Sequence, residues 1–336
     1  MIVQTGFVAI LAGTALISPL FAQDVPATPD SGPVNFPTGT FGGQQFWSDE
    51  LVHGEWRIQQ NVLTGHYRLL DDRDFRMAWG TYDQCRAKFD ELRREREIPA
   101  LDGKIVVLLH GLSRTRDAMA GIAAHLKNKG YTPINVGYAS TRRSLDDHAL
   151  SLARVLAGLD GADELHFVCH SLGNLVVRRY LGEAMQPQPR WQTDPRIARM
   201  VMLGPPNNGA KVAEFFKDNE VLALVFGPSA KQLARDFPQS AKRLATPAFP
   251  FAIVAGRGIG GAANPFLDGD DDLLVSVAET QLPGAADFRV VPCLHGQLLT
   301  DREVRGYIAS FLAHGYLTAA ADRQPLLAGP PATAAE

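Results

Sequence analysis

Residues 165–181 read LHFVCHSLGNLVVRRYL, and the change of pattern within this stretch decides the expected fold. Its first four residues are typical of a buried strand, whereas the last eight place apolar side chains at helical spacing. Ser171 lies between them, with small residues two positions before and after it, Cys169 and Gly173. A serine on such a tight strand-to-helix turn is typical of a catalytic nucleophile. The alternative is a serine that caps a helix after a strand.

A second strand-to-turn pattern lies earlier in the chain. Residues 104–109 read KIVVLL and are followed by His110, Gly111 and Leu112. Glycine lets a backbone turn close to a bound group. The alternative is an ordinary glycine turn at the end of a strand.

Two backbone N–H groups are expected to bind the oxyanion that forms when the serine attacks a carbonyl. They are those of Leu112, after the first turn, and Leu172, after the serine. Each such donor contributes roughly 3–4 kcal/mol where it has been measured. His110, Gly111 and Gly173 are expected to support the two turns.

An acidic cluster and a histidine follow the serine in the chain. Residues 268–272 read DGDDD, and His295 follows the last predicted strand. A serine hydroxyl needs a base to become a nucleophile, and His295 is expected to supply it. One of Asp270, Asp271 and Asp272 would orient the imidazole. The order Ser, Asp, His predicts acyl transfer.

The acidic residues also allow a second interpretation, a calcium-binding loop. Asp268, Asp270, Asp272 and Glu279 fall at positions 1, 3, 5 and 12 of such a loop. Position 6, where the loop needs glycine, is Leu273, and the residues that follow resemble a strand rather than a helix. We therefore predict no metal ion.

Taken together, these motifs resemble the bacterial lipase and esterase branch of the α/β-hydrolase superfamily, including lipases similar to GPI-inositol deacylases. The residues that carry the resemblance are LHGL at 109–112, VCHSLGN at 168–174, LGPPNNG at 203–209, Asp272 and His295. The resemblance covers roughly residues 101–315. It implies hydrolysis of carboxylic esters, no cofactor and a mobile cap over the site.

The resemblance also selects one aspartate. In such lipases an Asp-Gly-x-Val-x-Val segment carries the catalytic acid, and Asp272 precedes Val275 by three residues. The implied triad is therefore Ser171, Asp272 and His295. The chain departs from the family pattern at Cys169, where glycine is commoner, and at Leu273, which replaces the glycine after the acid.

The length, net charge and periodicity of the chain agree with the resemblance to α/β-hydrolases. The chain has 336 residues, a net charge of −3 and no Lys/Arg-rich block, which argues against nucleic-acid binding. Alternating strand and helix patterns predict a mostly parallel sheet with helices on both faces. The resemblance implies that this sheet belongs to an α/β-hydrolase fold with a helical cap insertion. The predicted strands are residues 104–110, 131–137, 165–170, 197–203, 250–255 and 287–292. The predicted helices are residues 117–129, 145–158, 172–186 and 298–313.

The two ends of the chain differ in composition from the rest. Residues 1–22 form an apolar run that predicts a signal peptide or a retained N-terminal anchor, and residues 23–45 read as a flexible linker. We expect export to the periplasm or the medium. Residues 319–336 are Ala/Pro-rich and predict a disordered tail. In an oxidising compartment Cys85 and Cys293 either pair or stay as free buried thiols.

Residues 46–318 are assigned to the hydrolase domain, with residues 46–100 as an N-terminal extension. Alternating residues at 55–60 and 66–70 predict two strands, and a helix is expected over 82–97. We expect the strands to extend the edge of the main sheet and the helix to pack against the core. The alternative is a separate binding module.

Residues 207–248 are predicted to form a cap, or lid, because two apolar runs are broken at Gly227 and Pro228. The cap would line an acyl pocket and allow contact with a lipid surface. The alternative is a pair of helices packed on the sheet.

The expected function is an exported serine hydrolase that cleaves a small-molecule or lipid ester through an acyl-enzyme on Ser171. An acyltransferase, thioesterase or amidase would use the same triad. A catalytically silent hydrolase fold that serves as a binding module is the alternative from a different class.

Overall fold

The computed structural model describes residues 44–209, 227–233, 236–258, 267 and 269–327. The strands are β1 (Trp47–His53), β2 (Trp56–Asn61), β3 (Tyr67–Leu70), β4 (Arg76–Gly80), β5 (Gly103–Leu109), β6 (Thr132–Val136), β7 (Ala162–His170), β8 (Ile197–Leu203), β9 (Phe251–Gly256) and β10 (Asp287–Val291). The α-helices are α1 (Tyr82–Glu95), α2 (Ala120–Lys127), α3 (Leu145–Ala157), α4 (Leu172–Ala184), α5 (Phe237–Ala241), α6 (Val277–Thr280) and α7 (Arg302–His314). Residues 227–233 are also helical.

A parallel sheet of six strands, in the order β10-β9-β8-β7-β5-β6, forms the centre of the fold. Side chains of β5 alternate between its two faces, as strand geometry requires. Ile105 and Val107 pack in one apolar cluster with residues of α3 and α4, whereas Val106 and Leu108 pack in another with residues of α2 and α7. The predicted mostly parallel sheet with helices on both faces is confirmed.

The ends of three neighbouring strands determine where a site can form. Leu109 of β5 is in register with Cys169 of β7, and His170 is in register with Leu203 of β8. The turns that follow these strands therefore lie side by side at the carboxyl edge of the sheet. Open α/β sheets bind ligands at this edge.

The N-terminal extension differs from the prediction. Its strands form a separate antiparallel sheet in the order β1-β2-β3-β4 and do not extend the edge of the main sheet. Helix α1 packs on this second sheet, where Cys85, Phe89 and Leu92 share a cluster with apolar residues of β1, β2, β3 and β4. The sequence reading missed β1 and β4, and the helix completes a small core of its own instead of joining the main one.

Buried polar contacts join the antiparallel sheet to the rest of the fold. Asp49 of β1 accepts hydrogen bonds from the backbone N–H of Gly137 at 2.6 Å and from Arg57 Nη1 at 2.7 Å. Glu50 accepts from Ser151 Oγ of α3 at 3.0 Å. The sheet therefore attaches to the rest of the fold through acidic side chains of β1, which accept from donors after β6 and on α3.

The C-terminal tail also differs from the prediction over residues 319–327, which are ordered against β10. Leu326 exchanges backbone hydrogen bonds with Ala285 at 3.0 Å and Gly284 at 2.7 Å. The buried carboxylate of Asp287 accepts from the N–H groups of Leu317 at 2.8 Å and Gln324 at 3.0 Å. These hydrogen bonds to Asp287 hold the segment against β10, which its Ala/Pro-rich composition did not indicate.

Several predictions fall partly or wholly outside the described residues. These are the signal peptide or anchor at 1–22, most of the linker at 23–45, residues 210–226 and 234–235 of the cap, and residues 328–336. Cys85, Cys169 and Cys293 are buried free thiols. No helix in the described parts combines the length and apolarity that a bilayer-spanning segment needs.

Candidate active site

Ser171 lies on a strained turn between β7 and α4. Its backbone has φ 51° and ψ −122°, a conformation that non-glycine residues rarely adopt. Strain of this kind typically costs 1–3 kcal/mol and is found where surrounding contacts hold the backbone. Here the Ser171 N–H donates to the carbonyl of Leu203 at 2.9 Å, and Asn174 donates to the Ser171 carbonyl through both its N–H and its Nδ2.

The small residues on either side of Ser171 fit the space around the turn. A Cβ on Gly173 would lie 2.7 Å from the carbonyl oxygen of Leu109 and 2.9 Å from that of His110. Only glycine therefore fits at this position. Cys169 is fully buried beside β5, and burial raises the pKa of its thiol well above the usual value. It acts here as a small apolar residue.

Asp272 is the aspartate that contacts His295. The His295 Nδ1–H donates to Asp272 Oδ2 at 2.7 Å, and the His295 backbone N–H donates to the Asp272 carbonyl at 3.0 Å. The other carboxylate oxygen, Oδ1, accepts from the N–H groups of Leu274 at 3.1 Å and Val275 at 2.8 Å. Asp272 is fully buried and His295 is 6% exposed, so water does not compete for this pair.

The other acidic residues of the cluster have different partners. The Asp270 side chain is 69% exposed, and its carboxylate lies 3.9 Å from Arg257. Asp271 Oδ1 accepts from the Leu273 N–H at 2.7 Å. Glu279 accepts from the N–H and hydroxyl of Ser276 at the start of α6.

These partners bear on the calcium-loop alternative. Asp272 and Glu279, two of its four carboxylates, are committed to His295 and to a helix cap. Asp268 lies outside the described residues. Within the part of the chain that the structure describes, no group of three His, Cys, Asp or Glu side chains is arranged to hold a metal ion.

His295 lies against the serine turn. The ring of His170, the residue before Ser171, packs 4.6 Å from the His295 ring, and its Nε2–H donates to the His295 carbonyl at 3.0 Å. The His295 ring also covers Gly204, where a Cβ would lie only 3.1 Å from ring atoms. Burial, and then the charge of His295, hold the pKa of His170 well below its usual value. His170 is therefore neutral beside His295.

The turn after β5 approaches Ser171 closely. A Cβ on Gly111 would lie 3.0 Å from the Ser171 Cβ and 2.9 Å from His170 Nδ1. His110 Nδ1–H donates to the Gly111 carbonyl at 2.8 Å. In a trans peptide the carbonyl and the following N–H point in opposite directions. Holding the Gly111 carbonyl therefore sets the direction of the Leu112 N–H.

His110 is held in turn by Tyr138, a residue that the sequence reading missed. The Tyr138 hydroxyl donates to the His110 carbonyl, and the two rings stack at 4.2 Å with an interplanar angle of 13°. Burial lowers the pKa of His110 to about 4, so the ring is neutral near pH 7. Leu172 is the first residue of α4, and its N–H is one of the helix donors without an intrahelical acceptor.

Two glycines beside Asp272 and His295 were also not assigned from the sequence. Gly204 belongs to the LGPPNNG stretch, but its contact with His295 was not foreseen. At Gly256, the last residue of β9, a Cβ would lie 2.4 Å from the Cys293 carbonyl and 2.9 Å from the Asp272 Cβ. In the sequence, a glycine at the end of a predicted central strand could have indicated that another part of the backbone lies close to it.

The comparisons with known proteins concern the fold. No protein-family model and no curated protein matches the chain. Among solved structures, Bacillus licheniformis lipase BlEst2 in its propeptide form is similar with a TM-score of 0.50 at 18% identity, over 69% of this chain and 54% of that one. The chain thus spans about half of that structure. The mature form of BlEst2 has a TM-score of 0.48 at 18% identity, over 65% of this chain and 94% of that one.

A third solved structure is phospholipase PlaB from Legionella pneumophila in complex with thio-NAD, with a TM-score of 0.43 at 17% identity, over 64% of this chain and 56% of that one. At such identities a likeness establishes the fold alone. The described chain has the α/β-hydrolase fold found in bacterial lipases and esterases, with an additional antiparallel sheet.

Proposed function

We propose that this protein hydrolyses carboxylic esters through an acyl-enzyme on Ser171. The observation that carries the proposal is the buried 2.7 Å contact between Asp272 and His295, beside a serine with φ 51°. A helix-capping serine needs neither a strained backbone nor a carboxylate–imidazole pair next to it. The fold shared with bacterial lipases supports the same reaction class.

In the proposed mechanism, His295 Nε2 takes the Ser171 hydroxyl proton as the oxygen attacks the ester carbonyl. Asp272 holds the hydrogen on Nδ1, which leaves Nε2 free to accept that proton, and it stabilises the resulting imidazolium. When the tetrahedral intermediate collapses, the proton passes from Nε2 to the departing alkoxide, and an alcohol leaves. Water then attacks the acyl-enzyme with His295 as base, and the acid is released.

The N–H groups of Leu112 and Leu172 would stabilise the negative oxygen of the intermediate. Each donor contributes about 3–4 kcal/mol to the transition state. The neutral state of His170 matters for the same step, because a second positive charge 4.6 Å from the His295 ring would oppose its protonation.

The test is hydrolysis of p-nitrophenyl esters from acetate to palmitate by the purified protein, beside Ser171→Ala. Ser113→Ala is a matched control, because Ser113 is an exposed serine with φ 57° on the neighbouring turn. We expect turnover in the wild type and in the control, and none above background in Ser171→Ala. The series of esters also reports the preferred chain length.

Covalent labelling with a fluorophosphonate separates the remaining outcomes. Labelling at Ser171 without turnover of any ester would indicate a different acyl substrate, such as an amide or a thioester. A folded protein that neither turns over esters nor reacts with the probe would refute the proposal and favour a silent binding fold.

Export of the protein and contact of its cap with a lipid surface are further proposals. They rest on the apolar runs in residues 1–22 and 207–248 and on the expected ester substrate. Cell fractionation and binding to phospholipid vesicles would test them.

A further inference from the structure

A cavity of about 250 Å³ lies between the antiparallel sheet and the hydrolase core. Trp47, Gln59 and Arg68 form part of the wall on the side of the sheet, and His110 and Tyr138 form part of the opposite wall. Pockets for drug-sized ligands begin at about 300 Å³. The cavity therefore suits a molecule smaller than a drug-sized ligand.

Arg68 is a buried cation on this wall, and no carboxylate of the described residues pairs with it. It is 8% exposed, its Nε and Nη2 donate to Gln59 Oε1 at 3.0 and 2.7 Å, and its guanidinium lies 3.8 Å from the centre of the Trp47 ring. Within the described residues no acidic oxygen lies within 4.0 Å of its nitrogens. The buried carboxylate behind Gln59, that of Asp49, is already paired with Arg57 at 2.7 Å.

A buried charge with only neutral partners is unfavourable unless a counter-ion reaches it. Burial accordingly lowers the pKa of Arg68 to about 10. Its Nη1 makes no hydrogen bond to any described residue, which leaves it available to a group in the cavity.

The remaining charges of the cavity leave a positive excess. Arg116 forms ion pairs with the carboxylate of Asp74 and, at 3.7 Å, with that of Asp117. Arg73 is exposed at the cavity and forms no ion pair within the described residues. Arg68 and Arg73 therefore contribute two positive charges that form no ion pair with a described residue.

We propose that this cavity binds a small phosphate monoester. Its two negative charges match the guanidinium groups of Arg68 and Arg73, which form no ion pair with any described residue and donate hydrogen bonds in the geometry that phosphate accepts. The organic part of the ligand lies against the aromatic side chains of Phe75 and Tyr138, which also line the cavity. The ligand would contact His110 and Tyr138, which hold the Gly111 peptide, without occupying Ser171.

Isothermal titration of the whole protein with phenyl phosphate and with inorganic phosphate tests the proposal, at an ionic strength fixed with chloride. The cavity variants are Arg68→Gln and Arg73→Gln. The matched control is Arg96→Gln, because Arg96 is an exposed arginine 5.3 Å from the Trp56 ring that does not line the cavity. Ser171→Ala is titrated as well, to keep this site separate from ester hydrolysis.

We expect one saturable site for phenyl phosphate in the wild type, in Arg96→Gln and in Ser171→Ala, with weaker binding of inorganic phosphate. Each cavity variant should bind phenyl phosphate about tenfold more weakly or worse, as expected when a charge-assisted hydrogen bond is lost. Absence of saturable binding in the wild type, or an unchanged Kd in both cavity variants, would overturn the proposal. If Arg68→Gln does not fold, the exposed Arg73 decides the outcome by itself.

Discussion

Replacement of Asp272 by asparagine tests the proposed catalytic geometry most directly. Asp272 Oδ1 accepts from two backbone N–H groups, those of Leu274 and Val275, and Oδ2 accepts from His295 Nδ1 at 2.7 Å. Only the oxygen of an asparagine amide can accept hydrogen bonds, so it must take the Oδ1 position. The amide NH₂ is then directed at His295 Nδ1.

The consequence is the wrong tautomer of the base. Because the amide donates to Nδ1, the imidazole carries its hydrogen on Nε2, and Nε2 cannot take the serine proton. An acid-to-amide change of this kind lowers kcat about 10⁴-fold. This corresponds to about 5 kcal/mol of lost transition-state stabilisation.

The assay is steady-state ester hydrolysis by Asp272→Asn and by a matched control, Asp270→Asn. The Asp270 side chain is 69% exposed and lies 3.9 Å from Arg257, so its replacement should change kcat less than about threefold. Circular dichroism would verify that both variants fold. If Asp272→Asn kept more than about a tenth of the wild-type kcat, or if Asp270→Asn lost as much activity, the tautomer argument would be wrong.

Three further changes have defined outcomes. Leu273 has φ 79°, a backbone conformation that is strained for leucine but not for glycine. Leu273→Gly should therefore raise the free energy of unfolding in urea by about 1 kcal/mol. Leu274→Gly relieves no such strain and should lower it. Tyr138→Phe keeps the ring but removes the hydroxyl that holds the His110 carbonyl, and steady-state kinetics should show kcat about five- to tenfold lower at unchanged KM. Burial lowers the pKa of His148 to about 3, whereas in the unfolded chain it is about 6.5. The unfolded state therefore binds more protons, and the free energy of unfolding should fall as pH drops below about 6.5. His148→Phe should reduce that slope in urea denaturation between about pH 4.5 and pH 7; an unchanged slope would contradict this assignment.

Much of the central sheet could be predicted because its determinants are local. The apolar runs of β5 to β10 alternate with helical patterns, and the strands and helices expected from them are present. The observed ends of helices differ from the predicted ones where a capping residue was not recognised. Helix α7 was predicted from residue 298 but begins at Arg302, because the Asp301 side chain accepts from the Val304 N–H at 2.9 Å and caps the helix there. A capping hydrogen bond between residues three apart sets where a helix begins, but it leaves no mark on the apolar pattern from which the helix was predicted.

The antiparallel sheet was harder to predict because two of its strands lack simple alternation. Strand β1 buries almost every residue, since one face packs in the small core and the other meets the domain built on the parallel sheet. A strand that is covered on both faces and carries Asp49 and Glu50 resembles a polar loop in sequence. Its partners, Gly137 and Ser151, are distant in the chain.

The sequence by itself determined the parallel sheet, the serine turn and the order of the three candidate catalytic residues, because each depends on short-range spacing and on space for small side chains. The family resemblance implied Asp272, and the tertiary structure shows its contact with His295. Only the tertiary structure decided that Tyr138 and His110 hold the Gly111 peptide, and that Arg68 is buried without a counter-ion among the described residues. These features depend on the direction in which side chains from separate segments point once the strands are packed. Neither residue type nor periodicity encodes that direction.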